Sequence, residues 1–264
     1  MTYQRIAVKP EEDGVVLISL KNPPVNALST GLLDELGQVI REVAQDRSKR
    51  ALILTGDGQY FSAGADVKEM ATMMGNFRTE APQIVQKVQA IFRALEEMPQ
   101  PVLASLNGLA VGGGLELALS CDIRLAGDSV KVGFPEVTLG LIPAYGGTQR
   151  LARLVGTGKA RELIFTGSLI NSAEALRLGI VNKVVPAGQE LRAARDMAHT
   201  IAIKSSPVAV AAAKKAILYG YDRTLEEGLA QESQLFREEV LAREDIVEGI
   251  TAFVERRPPK FPGR

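Results

Sequence analysis

The stretch GLAVGGGLELALSCDIRLA, residues 108–126, places three consecutive glycines just before an isolated carboxylate. The glycines are Gly112 to Gly114, and Glu116 follows with apolar residues on both sides. Burial of a lone carboxylate costs several kcal/mol unless it is paired or its pKa rises. We predict a short helix that begins near Gly113 and a strand over residues 122–127. The position of Glu116 on that helix is the first indication of a functional site.

Apolar segments of strand length alternate with helical patterns through the first two-thirds of the chain. We predict strands over residues 14–20, 51–56, 101–108 and 122–127, and long helices over 29–46 and 82–98. From about residue 190 only helical patterns occur, over 191–205, 207–221, 224–242 and 243–257. The alternation predicts an α/β fold with helix-covered sheets, divided into a core over residues 1–190 and a helical C-terminal segment over 191–264.

The composition excludes several classes of protein. Lys and Arg number 31, as do Asp and Glu, so no net field attracts nucleic acid or an anionic membrane. The single cysteine, Cys121, cannot form an internal disulfide and fits a reducing compartment. Because His199 is the only histidine, Ser–His and multi-histidine metal chemistry are excluded. Together with the absence of a signal-peptide pattern, these features predict a cytoplasmic protein without a bound metal.

One stretch, PVLASLNGLAVGGGLELALSC over residues 101–121, imitates a membrane span because it carries a single charge. Pro101, Asn107, four glycines and Glu116 make it a poor spanning helix. We therefore interpret it as a buried strand, a loop and a helix, and expect no membrane partner.

Two segments share one plan, a strand followed by a glycine-containing loop and a helix start. They are LILTGDGQYFSAGAD, residues 52–66, and VLASLNGLAVGGGLE, residues 102–116. Asp66 and Glu69 resemble a capping box, which predicts a helix that begins just after Ala65. Each loop would present free backbone N–H groups at a helix N-terminus, and two such donors that converge on one oxygen form an oxyanion hole. The alternative is that these glycines only make turns.

A second carboxylate, Glu136, lies in the segment KVGFPEVTLGLIPAYGGTQRL, residues 131–151. It has mostly apolar neighbours and is close to further glycines, so Glu116 and Glu136 are candidates for an acid/base pair. Low dielectric and mutual repulsion would then raise at least one pKa toward neutrality. In the alternative interpretation Glu116 caps a helix or pairs with Arg124 or Arg150, and Glu136 is simply exposed.

Three motifs in order carry a family resemblance: FSAGADVKEM at 61–70, the stretch at 108–126, and FPEVTLGLIPAYGGTQRL at 134–151. Together they resemble the crotonase, or enoyl-CoA hydratase/isomerase, superfamily, and the similarity extends from NPPVNALS (22–29) to EGITAFVERR (248–257). The resemblance implies a spiral of ββα units with a helical C-terminal trimerisation region. It also implies a homotrimer or a hexamer built as a dimer of trimers.

The resemblance assigns roles to individual residues. The backbone N–H groups of Ala65 and Gly113 would form the oxyanion hole for a thioester carbonyl. Glu116 and Glu136 match the two catalytic glutamates of hydratases, with Glu116 taking a proton from water and Glu136 delivering one to the α-carbon. The positions implied to bind the substrate and its coenzyme A are Ala63, Ala65, Asp66, Val67, Lys68, Gly113, Phe253 and Arg256. No separate cofactor is implied, because coenzyme A enters as part of the substrate.

Some implied features are open at the level of sequence. Many hydratases have Gly where this chain has Ala144, and the amide there helps to hold the water, so activity requires a backbone that does not need positive φ. Tyr145 is either a wall of the acyl pocket or ordinary packing, and residues 71–82 are expected near that pocket. Phe253 and Arg256 share a helix face and would reach coenzyme A from a neighbouring subunit; the alternative is a core Phe and a solvated Arg.

The function implied by the resemblance is that of an enoyl-CoA hydratase, which adds water reversibly to trans-2-enoyl-CoA to give 3-hydroxyacyl-CoA. Its acyl-CoA thioesters would be short or medium in length. Fatty acid β-oxidation is the expected pathway, and amino acid or aromatic degradation are left open. The alternatives are an enoyl-CoA isomerase, a hydratase for branched or aromatic acyl groups, and a non-catalytic acyl-CoA-binding subunit. RNA binding, known in the superfamily, has no support from the net charge of zero.

Overall fold

The computed structural model describes residues 3–263, which form ten strands and eleven α-helices in a mixed α/β arrangement. The strands are β1 (Ile6–Pro10), β2 (Val15–Leu20), β3 (Ala51–Gly56), β4 (Tyr60–Ser62), β5 (Val102–Leu106), β6 (Leu109–Val111), β7 (Ile123–Gly127), β8 (Lys131–Gly133), β9 (Leu169–Asn171) and β10 (Lys183–Val185). The helices are α1 (Thr30–Gln45), α2 (Val67–Thr72), α3 (Phe77–Glu97), α4 (Gly113–Leu119), α5 (Gly147–Val155), α6 (Thr157–Thr166), α7 (Ser172–Arg177), α8 (Glu190–Lys204), α9 (Pro207–Gly220), α10 (Leu225–Leu235) and α11 (Glu244–Glu255). The predicted α/β class is confirmed.

The strands form two sheets. The larger has six strands in the order β1-β2-β3-β5-β7-β10, and the smaller has four in the order β4-β6-β8-β9. Only the outer pairs β1–β2 and β8–β9 are antiparallel; the other pairs are parallel. Parallel pairing requires crossover connections, and these carry the helices.

A repeated unit explains the two sheets. In each of three successive units, β3–β4, β5–β6 and β7–β8, the first strand joins the large sheet and the second joins the small one. A helix follows the second strand each time, namely α2, α4 and, after a short 3₁₀ turn, α5. The chain therefore winds as a spiral of ββα units, as predicted. The three helix starts lie beside one another because the units repeat.

Helices cover both faces of the large sheet. Strands β2, β3 and β5 are almost entirely buried, and their side chains alternate between two apolar clusters. The larger cluster packs against α1 and α3, through residues such as Leu36 and Phe92. The smaller packs against α8, through Ala194 and Ala198. Burial of both faces accounts for the continuous apolar runs of these strands.

Helix α8 belongs to the predicted C-terminal segment but lies on the sheet of the core. Helices α9 to α11 follow α8 in the chain. They leave large apolar side chains exposed, among them Ile217, Leu225, Val247, Ile250 and Phe253. Lys214 of α9 joins this part to the core by donating to the carbonyls of Leu95 and Gln100 and to Asp122. The division at residue 190 stays a prediction.

Helix boundaries agree with the sequence patterns to within one or two residues at most sites. The largest differences are at α10, which ends at Leu235 rather than at 242 because Phe236–Val240 form a π-helical turn, and at α3, which begins at Phe77 rather than at the predicted residue 82. Pro82 therefore lies inside the helix, where its missing N–H removes one hydrogen bond. Within residues 3–263, no helix combines the length and apolar character needed to cross a bilayer. The stretch 101–121 contains β5, β6 and α4, as the interpretation of a strand, a loop and a helix requires.

Candidate active site

A pocket of about 230 Å³ lies where α2 and α4 begin, and α1 and α3 also contribute to its wall. It is lined by Leu28, Thr30, Leu33, Ala63–Val67, Glu69, Met70, Met73, Phe77, Ala81, Ile84, Val85, Gly112, Gly113, Glu116, Pro135, Glu136, Leu139, Leu141, Ile142, Ala144 and Tyr145. The lining is mostly apolar and includes both candidate glutamates and both glycine loops. It therefore has the usual character of a small-molecule site.

The first loop, residues 62–66, is held by the segment before α1. Ala63 donates to the carbonyl of Val25, and Leu28 donates to the carbonyl of Gly64. Gly64 has φ +88°, so a residue with a side chain would be strained there. These contacts leave the amide of Ala65 outside every hydrogen bond formed within residues 3–263. Ala65 thus presents a free donor to the pocket.

The three glycines of the second loop are each required for a different reason. Gly112 has φ +55° and ψ −131°, a conformation closed to residues with side chains. Gly113 is the first residue of α4, and the ring of Tyr145 lies against it. A Cβ on Gly114 would overlap the carbonyl oxygen of Ser62, so this glycine lets α4 pack on β4.

The two loops meet. A Cβ built on Gly64 would lie 3.0 Å from the amide nitrogen of Gly113 and 2.9 Å from the carbonyl oxygen of Val111. The amide of Gly113, like that of Ala65, enters no hydrogen bond among the residues the structure describes. Two unused N–H donors at adjacent helix starts, facing one pocket, can stabilise negative charge on a single oxygen.

Glu116 is buried in this pocket with only 1% of its surface exposed. Its Oε1 accepts a 2.7 Å hydrogen bond from the amide of Gly147, the first residue of α5. Burial raises the pKa of Glu116 to about 8, because desolvation and the neighbouring Glu136 carboxylate outweigh the Gly147 amide and the charge of Arg150. The carboxyl group can therefore exchange a proton near neutral pH.

Glu136 stands at the start of a short 3₁₀ helix, Glu136–Leu139, on the opposite side of the glycine loop. Its carboxylate lies over Gly112, where a Cβ would come within 3.0 Å of Oε1. Its Oε2 is buried and has no hydrogen-bond partner. Desolvation raises the pKa of Glu136. An unpartnered buried oxygen of this kind is available to a substrate or to water.

Of the two alternatives for Glu116, the ion pair is excluded, because neither candidate arginine pairs with it. The helix cap is present, because Glu116 accepts from the first amide of α5. Arg124 donates to the carbonyls of Ile180 and Cys121, and Arg150 makes a two-pronged ion pair with Glu96. Glu136 is half-buried in the pocket rather than on the open surface. Glu116 is thus buried in the same pocket as the two loops that carry the free amide donors.

The far end of the pocket is apolar and is formed mainly by α2, α3 and their connection. Met70, Met73, Phe77, Ile84 and Val85 line it, so part of the segment 71–82 does line the pocket, while an acyl group as its occupant stays a prediction. Tyr145 both lines the pocket and packs edge-on against Phe92, at 6.1 Å between ring centres. No Lys or Arg side chain is among the lining residues.

The structure brings together most of the residues singled out from the sequence. Ala63, Ala65, Asp66, Val67, Gly113, Glu116 and Glu136 all line the pocket. Lys68 does not line it; its amide donates to Asp66 Oδ1. Phe253 and Arg256 are exposed on α11 and at its end, outside the pocket of their own chain, with Phe253 85% exposed. The alternative that Phe253 belongs to the core is therefore wrong.

The predicted capping box is only half formed. Asp66 caps α2 by accepting from the amides of Lys68 and Glu69, as expected. The Glu69 side chain does not return to Asp66; its Oε2 accepts from the amide of Thr30 at 2.8 Å. Glu69 therefore links the start of α2 to the start of α1. Sequence spacing could not show this, because the competing donor lies 39 residues away.

Two supports of the site were not recognised in the sequence. One is the amide of Gly147, for which the pair Gly146–Gly147 before a helical pattern was the available signal. The other is Asn26, which is buried with φ +52° and donates to the carbonyls of Asp57 and Tyr60. Ala144 is not among the non-glycine residues with positive φ, so its backbone does not require glycine.

Comparisons with known proteins identify the family of this chain. Residues 10–264 match the family model described as enoyl-CoA hydratase/isomerase. A short-chain-enoyl-CoA hydratase of Clostridium acetobutylicum is 43% identical over 250 residues, covering 94% of each chain. A 2,3-dehydroadipyl-CoA hydratase of Escherichia coli is 39% identical and covers 95% of this chain and 96% of its own. The crystal structure of an enoyl-CoA hydratase from Bacillus anthracis superposes with a TM-score of 0.94 at 41% identity, over 99% of this chain and 100% of that one.

Proposed function

The chain belongs to the enoyl-CoA hydratase/isomerase family, and we propose that it catalyses the reversible addition of water to trans-2-enoyl-CoA, giving 3-hydroxyacyl-CoA. The observation that supports this most is the presence of two carboxyl groups, Glu116 and Glu136, in one pocket with two unused backbone donors. Hydration requires both a proton acceptor and a proton donor.

The amides of Ala65 and Gly113 would bind the thioester oxygen. When water attacks the β-carbon, the electrons of the double bond move toward the thioester and negative charge develops on that oxygen. In comparable sites, each such donor lowers the activation free energy by roughly 3 kcal/mol. The amide of Gly113 begins α4 and that of Ala65 lies just before the N-cap of α2, so both donors are in place before the charge forms and little reorganisation is needed.

The two glutamates would share one proton. In hydration Glu116 takes a proton from water as the carbon–oxygen bond forms, and Glu136 gives its proton to the α-carbon. In the reverse direction Glu116 protonates the departing hydroxyl and Glu136 removes the α-proton. Burial raises the pKa of both carboxyl groups, to about 8 for Glu116, and this makes it easier for each group to hold a proton and pass it on.

We assign the acyl group to the uncharged aliphatic class, short or medium in length. The apolar wall of Met70, Phe77 and Val85 favours such a chain. A carboxylate at the end of the acyl group would meet no cation, because the charged side chains on the lining are all acidic. This favours ordinary enoyl thioesters, such as those of fatty acid β-oxidation, over dicarboxylic ones.

We also propose that the working form is a homotrimer or a dimer of trimers, in which Phe253 and Arg256 of one subunit contact coenzyme A bound to the next. Both residues are exposed and lie outside the pocket of their own chain. The exposed apolar side chains of α9 to α11 support burial in an assembly. Arg256→Ala should raise the KM for crotonyl-CoA and leave kcat close to the parent value. Equal KM values would contradict this assignment.

The location assigned is the cytoplasm, where the single buried thiol of Cys121 would stay reduced.

The decisive test of the reaction is the loss of the conjugated thioester absorbance of crotonyl-CoA, measured for the parent chain and for Glu116→Gln and Glu136→Gln. We expect turnover by the parent and a loss of several orders of magnitude in each variant, with acyl-CoA binding retained. Arg177→Gln, at an exposed ion pair with Glu174, is a control that should keep full activity. A parent inert on crotonyl-CoA and on longer 2-enoyl thioesters would overturn the proposal, and turnover of 3-enoyl thioesters instead would indicate an isomerase.

A further inference from the structure

One face of α3 contacts the loop that carries Ala144 and Gly147, although α3 itself contributes neither glutamate. Gln89, Phe92 and Glu96 are spaced three and four residues apart, so they lie on one side of the helix. Gly147 supplies the amide that binds Glu116. The position of this loop therefore decides the position of a donor to the candidate catalytic carboxylate.

Each of the three residues makes a different contact with the loop or with the helix that follows it. Gln89 donates to the carbonyl of Ala144 at 2.7 Å. The ring of Phe92 packs edge-on against Tyr145 at an interplanar angle of 86°. Glu96 accepts two hydrogen bonds from Arg150, at 2.6 and 2.8 Å.

Arg150 links Glu96 to the loop, because it binds both. Its Nη1 donates to the carbonyl of Tyr145 at 2.9 Å, while the rest of the guanidinium is held by Glu96. Both side chains are about four-fifths buried, a setting in which a two-pronged pair has defined geometry. Gly146 has φ +110°, and a Cβ there would overlap the Arg150 guanidinium. The loop is thus shaped to receive Arg150.

We propose that Gln89, Glu96 and Arg150 are positioning residues, which hold residues 144–147 against α3 so that the Gly147 amide stays on Glu116 during catalysis. The proposal rests on the hydratase function proposed above. It assigns the Glu96–Arg150 ion pair a role in the reaction, although neither carboxylate nor guanidinium reaches the reacting atoms.

A positioning role can be distinguished from simple support of the fold, because the charges around Glu116 change its pKa. The titratable or charged groups that face Glu116 are Glu136, Tyr145 and Arg150. The Arg150 charge lowers the pKa of Glu116, so its removal raises that pKa further. Removal of Glu96 leaves the Arg150 charge unbalanced and acts in the opposite direction.

The experiment compares Arg150→Gln, Arg150→Lys, Glu96→Gln and Gln89→Met with the parent chain, using crotonyl-CoA hydration from pH 6 to 9. Arg93→Gln is the matched control, because Arg93 forms an exposed ion pair with Glu97 on the same helix. Hydrogen exchange of the loop peptide over residues 143–150, followed by mass spectrometry, gives a second readout that does not depend on turnover.

We expect kcat to fall about tenfold to a hundredfold in Arg150→Gln and Glu96→Gln, with KM nearly unchanged, because a small displacement of a catalytic group has effects of this size. The acidic limb of the pH profile should move to higher pH in Arg150→Gln and to lower pH in Glu96→Gln. Arg150→Lys should keep the parent limb but not the parent kcat. Gln89→Met should lower kcat without moving the limb, and loop exchange should accelerate in all four variants.

Two results would overturn the proposal: kcat values within twofold of the parent in both charge variants, or limbs that do not move in opposite directions. A parent chain inactive on enoyl thioesters would instead refute the proposed function. In that case hydrogen exchange still tests the structural claim, since unchanged exchange of the loop in Arg150→Gln would show that Arg150 does not hold residues 144–147 in place.

Discussion

The amide of Gly147 donates a 2.7 Å hydrogen bond to Oε1 of Glu116, although the two residues are 31 positions apart in the chain. Glu116 lies in the first turn of α4, and Gly147 begins α5. The bond joins two successive ββα units and fixes the direction in which a buried carboxyl group presents its second oxygen. Both the stability of the folded chain and the proposed activity of Glu116 depend on this contact.

The first prediction concerns the dependence of stability on pH. The pKa of Glu116 is about 8 in the folded chain and 4.5 ordinarily, so between these values the folded state binds the proton more tightly. The free energy of unfolding contributed by Glu116 is therefore fully present below about pH 4.5 and is lost as the pH rises through 8. Glu116→Gln, which cannot ionise, should be more stable than the parent at pH 9 and should lose this advantage toward pH 5.

Urea unfolding of the two proteins at pH 5, 7 and 9 measures the effect. Because the Glu136 carboxylate contributes to the raised pKa of Glu116, the same pair of proteins is also compared in a Glu136→Gln background. A stability difference that stays constant over this range would show that Glu116 is not held in its neutral form by burial.

The second prediction uses two glycines that lie inside helices. Gly114→Ala should destabilise the protein by about 1–3 kcal/mol, because its Cβ would overlap the Ser62 carbonyl. The control, Gly158→Ala, has nothing within 4 Å of the added Cβ and should be more stable than the parent by about 0.4–1 kcal/mol. Thermal unfolding of both variants tests this, and a shift of the same sign in both would contradict the packing argument.

The third prediction separates two neighbouring lysines of α9. Lys214 is largely buried and donates to Leu95, Gln100 and Asp122, so Lys214→Met should cost about 3–5 kcal/mol by leaving Asp122 without its cation. Lys215 pairs with Glu239 at the surface, and Lys215→Met should change stability by less than about 1 kcal/mol.

Chemical denaturation of the two single variants gives the comparison. Addition of Asp122→Asn to Lys214→Met should recover part of the loss, since the stranded carboxylate is then removed. Equal effects of the two lysine variants would refute the role of Lys214 as the link between α9 and the core.

The fourth prediction concerns Ala144, where many hydratases have glycine. Because Ala144 has negative φ, Ala144→Gly should keep kcat/KM for crotonyl-CoA within a few-fold of the parent. It should lower stability by about 0.4–1 kcal/mol, since glycine adds freedom to the unfolded chain. A large gain in activity would mean that the alanine methyl group restricts the site.

Sequence patterns were enough to predict the α/β class and most of the early strands and helices. The buried strands β2, β3 and β5 are continuous apolar runs, and α1 has apolar side chains at helical spacing, so local pattern and fold agree. The short strands β4, β6, β8 and β9 were not predicted, because three residues carry too little periodicity. Their pairing across the spiral is what defines them.

The candidate glutamates could be identified in the sequence because a carboxylate in apolar company is unusual. The hydrogen-bond partner of Glu116 could not be identified from the sequence. Arg124 and Arg150 were both candidates, and only the fold shows that each arginine binds other groups. The same holds for Glu69, whose spacing from Asp66 indicated a capping box while its side chain binds Thr30. Hydrogen-bond partners remote in sequence leave no local pattern.

The sequence by itself thus determined which groups are available: two isolated glutamates, glycine loops before helix starts, and apolar runs that must be buried. Only the tertiary structure decided that the loops of Gly64 and Gly113 meet and that Glu116 receives the Gly147 amide. It also decided that Lys68 does not line the pocket and that Phe253 is exposed on the surface of its own chain. The physical reason is that burial and helix propensity are local properties of a segment, whereas the convergence of donors and carboxylates depends on how successive ββα units stack.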